Sequence, residues 1–282
     1  MTINWFPGHM NKARRELAEA LRRIDVVIEL VDARLPRSSR NPMLEELRGE
    51  TPCLTLLNKS DLADPATNRA WLEVLDRVGD RAAIEISADR PASVRGVPGR
   101  CRKLAPHRRG PGKTLRCIVV GIPNVGKSTL INTLLGRHIA RVADRPAVTQ
   151  HQQRFHLDSG ISLADTPGVL WPKLADQQGA YRLAASGAIR ETAFDVMDVA
   201  VFAVGFLAAR YAEPLRKRYK LDLLASEPLD LLESIGRKRG FLRRGGVVDV
   251  ERAAETLLRE LRAGELGRVS FERPEDFCDL QS

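Results

Sequence analysis

Cysteine and histidine are scarce in this chain, and neither follows a pattern typical of a metal site. Four cysteines and five histidines are scattered along 282 residues. None of them shows the close spacing of zinc ligands, and the cysteines do not form a recognisable disulfide framework. We therefore expect reduced, mostly buried thiols, as in proteins of a reducing cytosol.

Long apolar segments are also lacking. The longest uninterrupted apolar run, Val199 to Ala209, is too short to cross a bilayer. The N-terminus does not follow the pattern of a signal peptide. These absences predict a cytoplasmic protein without a membrane span, and we further expect it to be a monomer.

Positive charge is in excess. The formal net charge is +9 and the isoelectric point is about 9.8. Such a balance favours a polyanionic partner, although net charge bears on association and not on fold.

The first two thirds of the chain alternate between short apolar segments, typical of buried parallel strands, and helical segments. Strands are predicted at 26–31, 53–57, 83–86 and 116–120, followed by a hairpin of 152–157 and 161–164. Helices are predicted at 10–24 and near 41–48, 66–78 and 93–104. The alternation predicts an α/β fold with a mostly parallel sheet of about six strands, covered on both faces.

The length of the chain predicts two domains. The first, residues 1–178, comprises the N-terminal helix, one half at 24–104, a linker at 105–114 and a second half at 115–178. The linker is rich in proline, glycine and basic residues. Beyond it, helices are predicted near 179–189, 194–211, 213–220, 228–236 and 249–263. Residues 179–282 are therefore expected to form a small all-α domain.

The segment from Gly121 to Ser128 matches the phosphate-loop pattern G-x-x-x-x-G-K-[ST]. It follows a predicted strand and precedes a predicted helix, which is the context that such a loop requires. Its glycines allow backbone N–H groups to surround phosphate oxygens. Lys127 would reach the β and γ phosphates, and the Ser128 hydroxyl would bind Mg²⁺.

Two further elements of a phosphate site follow the loop. Asp165 ends a predicted strand within Asp-Thr-Pro-Gly and is expected to hold Mg²⁺ through water, with Gly168 near the γ-phosphate. Thr149 lies between the motifs, where a threonine would close over Mg²⁺ when the γ-phosphate is present. The alternative, that Thr149 is an ordinary loop residue, stays open.

A guanine-specificity motif, Asn58-Lys59-Ser60-Asp61, ends another predicted strand. Asp61 can accept from the N1 and N2 donors of guanine, whereas adenine would leave the carboxylate unpaired. Ser87 and Ala88 end the next strand and would direct a backbone N–H at the guanine O6.

The order of these motifs is the reverse of the ordinary one, because the guanine motif precedes the phosphate loop. The sequence therefore predicts a P-loop GTPase fold with circularly permuted topology. GTP would be the substrate and Mg²⁺ the cofactor, with Mg²⁺ held by Ser128, Thr149 and Asp165. The nucleotide contacts are expected from Asn58, Lys59, Asp61, Ser87, Ala88, Asn124, Val125, Gly126, Lys127, Ser128, Thr129, Thr149 and Gly168.

The helical domain contains two basic clusters that suit an RNA backbone, with Tyr219 or Phe241 available for stacking on bases. A charge run can equally be solvated surface, and that alternative stays open. The candidate RNA contacts are Arg216, Lys217, Arg218, Lys220, Arg237, Lys238, Arg239, Arg243 and Arg244.

Together with the permuted order, three segments resemble the bacterial ribosome-biogenesis GTPase A family, also called RbgA or YlqF. These are Phe6-Pro-Gly-His9-Met10, Asp32-Ala-Arg34 and Gly264-Glu-Leu-Gly-Arg268. The resemblance extends over nearly the whole chain. It implies GTP hydrolysis stimulated by the large ribosomal subunit, and a role in late assembly of that subunit through its rRNA.

The resemblance also implies a catalytic role for His9. Many GTPases carry a water-orienting glutamine after the Asp-x-x-Gly motif, but this chain has Val169. A histidine could orient or polarise the attacking water. Alternatively, His9 caps a helix or binds RNA.

Asn124 resembles the asparagine of potassium-activated GTPases, which implies K⁺ near the phosphates. Two other functions remain possible on the sequence: a GTP-dependent RNA-binding switch with negligible hydrolysis, and a GTPase of translation or tRNA modification.

Overall fold

A computed structural model describes residues 10–76, 81–108, 110, 112–136, 153–165 and 177–277. The chain divides into two compact units. The helical unit is formed by the described part of Leu174–Phe271. The sheet unit is formed by the described parts of Asn4–Lys173 and Glu272–Ser282.

The sheet unit is built on six strands in the order β3-β2-β1-β4-β6-β5. Neighbouring strands are parallel except for β5, which runs antiparallel to β6. Every residue of β1 and β2 is buried, as expected for a sheet covered on both faces. The strands are β1 Val26–Asp32, β2 Cys53–Asn58, β3 Arg81–Glu85, β4 Leu115–Val120, β5 Gln153–Leu157 and β6 Ile161–Asp165. The predicted six-stranded, mostly parallel α/β sheet is confirmed.

The helices of this unit connect the strands. They are α1 Met10–Leu21, α2 Pro42–Arg48, α3 Pro65–Leu75, α4 Pro91–Val94, α5 Val97–Leu104 and α6 Lys127–Leu135. The segment near 93–104, expected as one helix, is divided between α4 and α5. Pro98 explains the break, because proline cannot donate to the carbonyl of Val94 and its ring would clash with that carbonyl.

The helical unit is all-α, and its helices lie close to the predicted segments. They are α7 Gln177–Ser186, α8 Val196–Arg210, α9 Ala212–Tyr219, α10 Pro228–Lys238 and α11 Val250–Ala263. Helix α8 contributes Val199, Ala203 and Leu207 to the core. The unit closes with Phe271, whose ring packs 5.2 Å from that of Phe206.

The residues after Phe271 pack against the sheet unit, whereas the expected boundary at residue 178 assigned them to the helical domain. Glu272 is fully buried there, and its carboxylate accepts from the backbone N–H groups of Arg37 at 2.8 Å and Ser38 at 3.2 Å. The Trp71 indole N–H donates to the Glu272 carbonyl at 3.0 Å. The need to satisfy a buried carboxylate brings this segment back to the sheet unit.

The cysteines that the structure describes, Cys53, Cys101 and Cys117, are buried free thiols. Each helix in the part of the chain that the structure describes is too short or too polar to cross a membrane.

Candidate nucleotide-binding site

The predicted motifs meet at one edge of the sheet. Strands β1, β2, β3, β4 and β6 are parallel, so their carboxyl ends lie at the same side. Asp32 and Asn58 end β1 and β2 and are paired in register. Ser87 follows β3, Gly121 follows β4, and Asp165 ends β6. Residues far apart in the chain therefore converge where α/β sheets bind ligands.

The phosphate loop joins β4 to α6, and two of its glycines are required by close contacts. A Cβ atom on Gly121 would lie 2.5 Å from the Leu30 carbonyl oxygen. Gly126 has a φ of +106°, and a Cβ atom there would lie 2.4 Å from Asn58 Nδ2. Only glycine fits both positions. The absence of side chains lets the loop pack against Leu30 and Asn58, and it lets the backbone adopt the positive φ that precedes α6.

Lys127 begins α6, and its side chain folds back over the loop. Its Nζ donates to the carbonyl oxygens of Gly121 at 3.0 Å and Ile122 at 2.9 Å. Burial lowers the pKa of the Lys127 ammonium to about 8, against the opposing charge of Asp165. The ammonium is thus held inside the loop, in position to take the charge of nucleotide phosphates.

Ser128 and Asp165 supply the oxygen ligands that Mg²⁺ prefers. Asp165 is 1% exposed, and its carboxylate is close enough to Lys127 to favour the charged form of that ammonium. Ser128 is the second residue of α6. Among the described residues, no group of three His, Cys, Asp or Glu side chains could hold a metal. The Ser128 hydroxyl and the buried Asp165 carboxylate are oxygen donors, and they fit a Mg²⁺ ion whose remaining ligands would be phosphate and water.

Asn58 joins the guanine motif to the phosphate loop. Its Nδ2 donates to the Val125 carbonyl at 2.7 Å, and its Oδ1 accepts from the Ala88 N–H at 2.8 Å. One buried side chain therefore fixes three loops that converge on the site, and both ends of its amide are satisfied.

Asp61 is held by residues of the loop after β3. Its Oδ1 accepts from the Ser87 hydroxyl at 2.8 Å, and its Oδ2 accepts from Arg90 Nη2 at 3.2 Å. Sequence reasoning missed Arg90. Arg90 lies only three residues after Ser87 in the sequence, which could have marked it as a neighbour of the site. Only the structure shows that the loop after β3 contacts Asp61 in the loop after β2.

The backbone N–H groups of Ser87 and Ala88 differ from expectation. That of Ser87 donates to the Ser93 hydroxyl at 2.8 Å, and that of Ala88 donates to Asn58. Both N–H groups hold neighbouring segments of the protein together. The sequence had instead predicted that one of them would donate to the O6 atom of guanine. Buried N–H groups need a partner, and Asn58 and Ser93 provide one within the protein.

Of the remaining predicted site residues, some lie at this edge and others are not described. Val125 is 1% exposed. Thr129 lies in the first turn of α6, and Asn124 has a left-handed backbone with a φ of +56°. His9, Thr149 and Gly168 lie outside the described residues.

Known proteins resemble this chain in sequence and in overall fold. A protein-family model described as 50S ribosome-binding GTPase matches residues 116–225. Ribosome biogenesis GTPase A of Bacillus cereus is 44% identical over 98% of this chain and 96% of its own length. The chain belongs to the ribosome biogenesis GTPase A family. It is accordingly a GTPase that acts in ribosome biogenesis.

Other members of the family agree in sequence and structure. Ribosome biogenesis GTPase A of Thermotoga maritima is 34% identical over 99% of this chain and 97% of its own length. A GDP-bound structure of YlqF from T. maritima covers 93% of this chain and all of the solved chain, with a TM-score of 0.67 and 30% identity. A GNP-bound structure of YlqF gives a TM-score of 0.65. The predicted circularly permuted P-loop GTPase fold is confirmed.

In the helical unit, most of the predicted RNA-contacting residues are engaged in ion pairs within the unit. Arg218 and Arg239 bind the buried Glu260 carboxylate at 2.8 Å and 2.6 Å. Arg243 binds Asp249 at 3.0 Å and Glu251 at 2.8 Å.

Three more of the basic residues have acidic neighbours. Lys238 lies 3.4 Å from Asp222, and Arg237 lies 3.9 Å from a carboxylate one turn earlier in α10. Arg216 lies 3.6 Å from the Glu213 carboxylate and also donates to the backbone carbonyl oxygen of Asp222 at 2.9 Å. Arg218 and Arg239 therefore also serve the fold of the unit, because their partner Glu260 is buried, whereas the exposed pairs of Arg237 and Lys238 contribute little to stability.

Tyr219 is not available for stacking on bases, contrary to expectation, because it is only 2% exposed. The Arg239 guanidinium lies 5.2 Å from the centre of its ring. Burial raises the pKa of the Tyr219 hydroxyl well above its usual range. Phe241 is half-buried, and Arg252 covers its ring at 4.5 Å. Both aromatic rings are thus packed with arginines of the same unit.

Proposed function

We propose that this GTPase drives a late step in the assembly of the large ribosomal subunit. It would bind rRNA in a nucleotide-dependent manner, with hydrolysis stimulated by the ribosome. Support comes from the description of the matched family, 50S ribosome-binding GTPase, and from relatives 44% identical over nearly the whole chain. Action in the cytoplasm as a monomer stays a prediction.

The observation that carries the nucleotide part of this proposal is the hydrogen bond from Asn58 Nδ2 to the Val125 carbonyl. It makes the guanine motif and the phosphate loop one continuous site. Asn58, Lys59 and Asp61 would bind the base while Lys127 binds the phosphates. A nucleotide must then satisfy both ends at once. Guanine would be favoured over adenine because the Asp61 carboxylate would accept from the N1 and N2 donors of guanine, which adenine lacks.

RNA binding would fall chiefly to the basic residues of the helical unit that are not used internally. Lys217, Lys220 and Arg244 are exposed, and over the described part of the chain they make no ion pair. Such cations can contact phosphates without losing an internal partner. Arg218 and Arg239, in contrast, would leave Glu260 as a buried carboxylate with less compensation.

A coupling route between nucleotide and RNA is available along the chain. Asp165 ends β6 and Gln177 begins α7, so only residues 166–176 separate the phosphate site from the helical unit. Gly168 lies in this segment, and Thr149 lies in the segment before β5. Contacts of both residues with the γ-phosphate and its Mg²⁺ would transmit the nucleotide state to the RNA-binding helices.

The test is co-sedimentation of the protein with immature and mature large subunits in the presence of GDP or a non-hydrolysable GTP analogue. We expect tighter binding to immature subunits with the GTP analogue, and GTP turnover that rises when subunits are added. The Lys127→Ala variant is the control, because it removes the side chain that binds the phosphates. Equal affinity in both nucleotide states would contradict the proposal.

The RNA surface is tested by substituting Lys220 and Arg244 with glutamine. Subunit binding should weaken while GTP affinity stays unchanged, and the slope of log affinity against log salt concentration should become shallower by about one for each phosphate that is no longer neutralised. An unchanged salt slope would argue against the assignment of these cations to RNA. Leu223→Ser is the matched control, because Leu223 is also exposed in this unit but uncharged.

A further inference from the structure

A buried ion-pair network lies beneath the guanine motif. Asp32 is the last residue of β1 and is 2% exposed. Arg34 binds both of its carboxylate oxygens, from Nε at 3.0 Å and from Nη2 at 2.8 Å, and the Arg34 backbone N–H donates at 3.0 Å. On the other side, Lys59 Nζ lies 3.3 Å from Asp32 Oδ2.

Asp32 is ionised in this network. Burial opposes ionisation, but the charges of Arg34 and Lys59, with the hydrogen bonds from Arg34, hold the pKa of the Asp32 carboxyl well below its usual range. The bidentate arginine fixes the carboxylate in one orientation. The carboxylate is therefore a rigid anchor for the Lys59 ammonium.

The backbone of Lys59 needs such an anchor. Its φ is +59°, a left-handed conformation that residues other than glycine seldom adopt. The Lys59 carbonyl accepts from the Leu62 N–H at 2.9 Å, and the Ser60 N–H donates to the Ile86 carbonyl at 3.1 Å. The turn thus separates Asn58, which faces the phosphate loop, from Asp61, which faces Ser87.

We propose that Asp32 is a positioning residue for guanine recognition. Anchored by Arg34, it holds Lys59 and so stabilises the left-handed turn that places Asn58 and Asp61. The inference rests on the proposed binding of guanine by the Asn58–Asp61 motif. Asp32 itself does not contact the nucleotide, and its effect is transmitted through Lys59.

A purely structural ion pair would lower stability without changing nucleotide recognition, and the chain contains a matched control for that case. Asp25 precedes β1 at the opposite edge of the sheet and is also buried. Its carboxylate binds Arg116 Nη2 at 2.9 Å and Arg108 Nε at 3.0 Å. Asp25→Asn therefore disturbs a comparable arginine-bound carboxylate. It does so at the amino end of β1, whereas the phosphate loop lies at the carboxyl end of β4.

The experiment compares Asp32→Asn with Asp25→Asn in the full-length protein. Thermal unfolding, the Kd for GDP and single-turnover hydrolysis at saturating GTP are measured for both variants. Both should unfold at lower temperature. Only Asp32→Asn should raise the Kd for GDP, by about tenfold, which is within the range of coupling between residues in contact. Single-turnover hydrolysis should stay within about twofold of wild type.

A double-mutant cycle identifies the route through Lys59. In a Lys59→Met background, Asp32→Asn should have little further effect on the Kd for GDP, because the anchored side chain is already absent. Arg34→Gln keeps both Asp32 and Lys59 but removes the bidentate partner of the carboxylate, and it should raise the Kd for GDP above that of Asp25→Asn. It serves as the test if Asp32→Asn fails to fold. Additive effects, or equal Kd values for the Asp25 and Asp32 variants, would overturn the inference.

Asp61→Asn separates failure of this inference from failure of the site assignment. If Asp61→Asn leaves the Kd for GDP unchanged, the guanine motif itself is misassigned. If Asp61→Asn weakens binding but Asp32→Asn does not, only the positioning role of Asp32 is wrong.

Discussion

Substitution of Gly126 by alanine tests whether the phosphate loop and the guanine motif form one unit. The new Cβ atom would lie 2.4 Å from Asn58 Nδ2, far inside the contact distance of the two atoms. The φ of +106° is also one that side chains rarely adopt. Asn58 must move, and its hydrogen bond to the Val125 carbonyl breaks.

The magnitude follows from two contributions. The left-handed backbone costs alanine about 1–2 kcal/mol, and breaking a hydrogen bond between buried groups costs about 1 kcal/mol. The loop must regain its conformation to bind phosphates, so this cost is expected in nucleotide affinity. A total of roughly 2–3 kcal/mol corresponds to a 30- to 150-fold increase in the Kd for GDP.

Gly136→Ala is the matched control, because Gly136 ends the same helix with a φ of +65° and has open space around its Cα. It carries the backbone strain without the clash, and it should lower stability while leaving the Kd for GDP within about threefold of wild type. The assay is equilibrium titration with a fluorescent GDP analogue. Equal effects of the two substitutions would refute the reasoning, because the contact with Asn58 would then contribute nothing.

Four further predictions concern other parts of the molecule. Burial lowers the pKa of Lys127 to about 8, and bound phosphates should favour its charged form. GDP binding should therefore take up a proton at pH 8.5, and affinity should fall as the pH rises through 8. Calorimetry in two buffers of different ionisation enthalpy measures this proton uptake. Glu272→Ala should destabilise the protein by about 2–3 kcal/mol because it leaves buried N–H groups unsatisfied, whereas exposed Glu275→Ala should change stability by less than about 0.5 kcal/mol; denaturant unfolding checks both. His9→Ala should slow ribosome-stimulated GTP turnover at least about tenfold with unchanged GTP affinity, and unchanged turnover would exclude a catalytic role. If Asn124 binds K⁺, hydrolysis should be faster in potassium than in sodium buffer, and equal rates would contradict this.

The contacts between the predicted motifs were beyond sequence reasoning. Asn58 was expected to bind the base, but its bonds to Val125 and Ala88 depend on β2, β3 and β4 ending at the same side of the sheet. The pairing of Asp61 with Arg90 likewise depends on the register of β2 with β3. A local pattern does not encode which loops become neighbours.

The basic clusters show the same limit. The sequence identifies Arg218, Arg239 and Lys220 as equal candidates for RNA contact, because all are cations in one helical region. Folding separates them, since Glu260 lies on α11 and binds the two arginines while Lys220 stays exposed. Tyr219 likewise could not be assigned from the sequence. It lies on the buried face of α9 and packs in the core of the unit.

The sequence by itself determined the family of GTPase and the permuted order of its motifs, because each motif is contiguous and is recognised by its residue types and spacing. Strand periodicity likewise determined the class of sheet. Only the tertiary structure decided how Asp32 comes to anchor Lys59, and why Glu272 returns to the sheet unit. Both depend on buried charges that must find partners across long stretches of chain, and such partners are selected by packing in three dimensions.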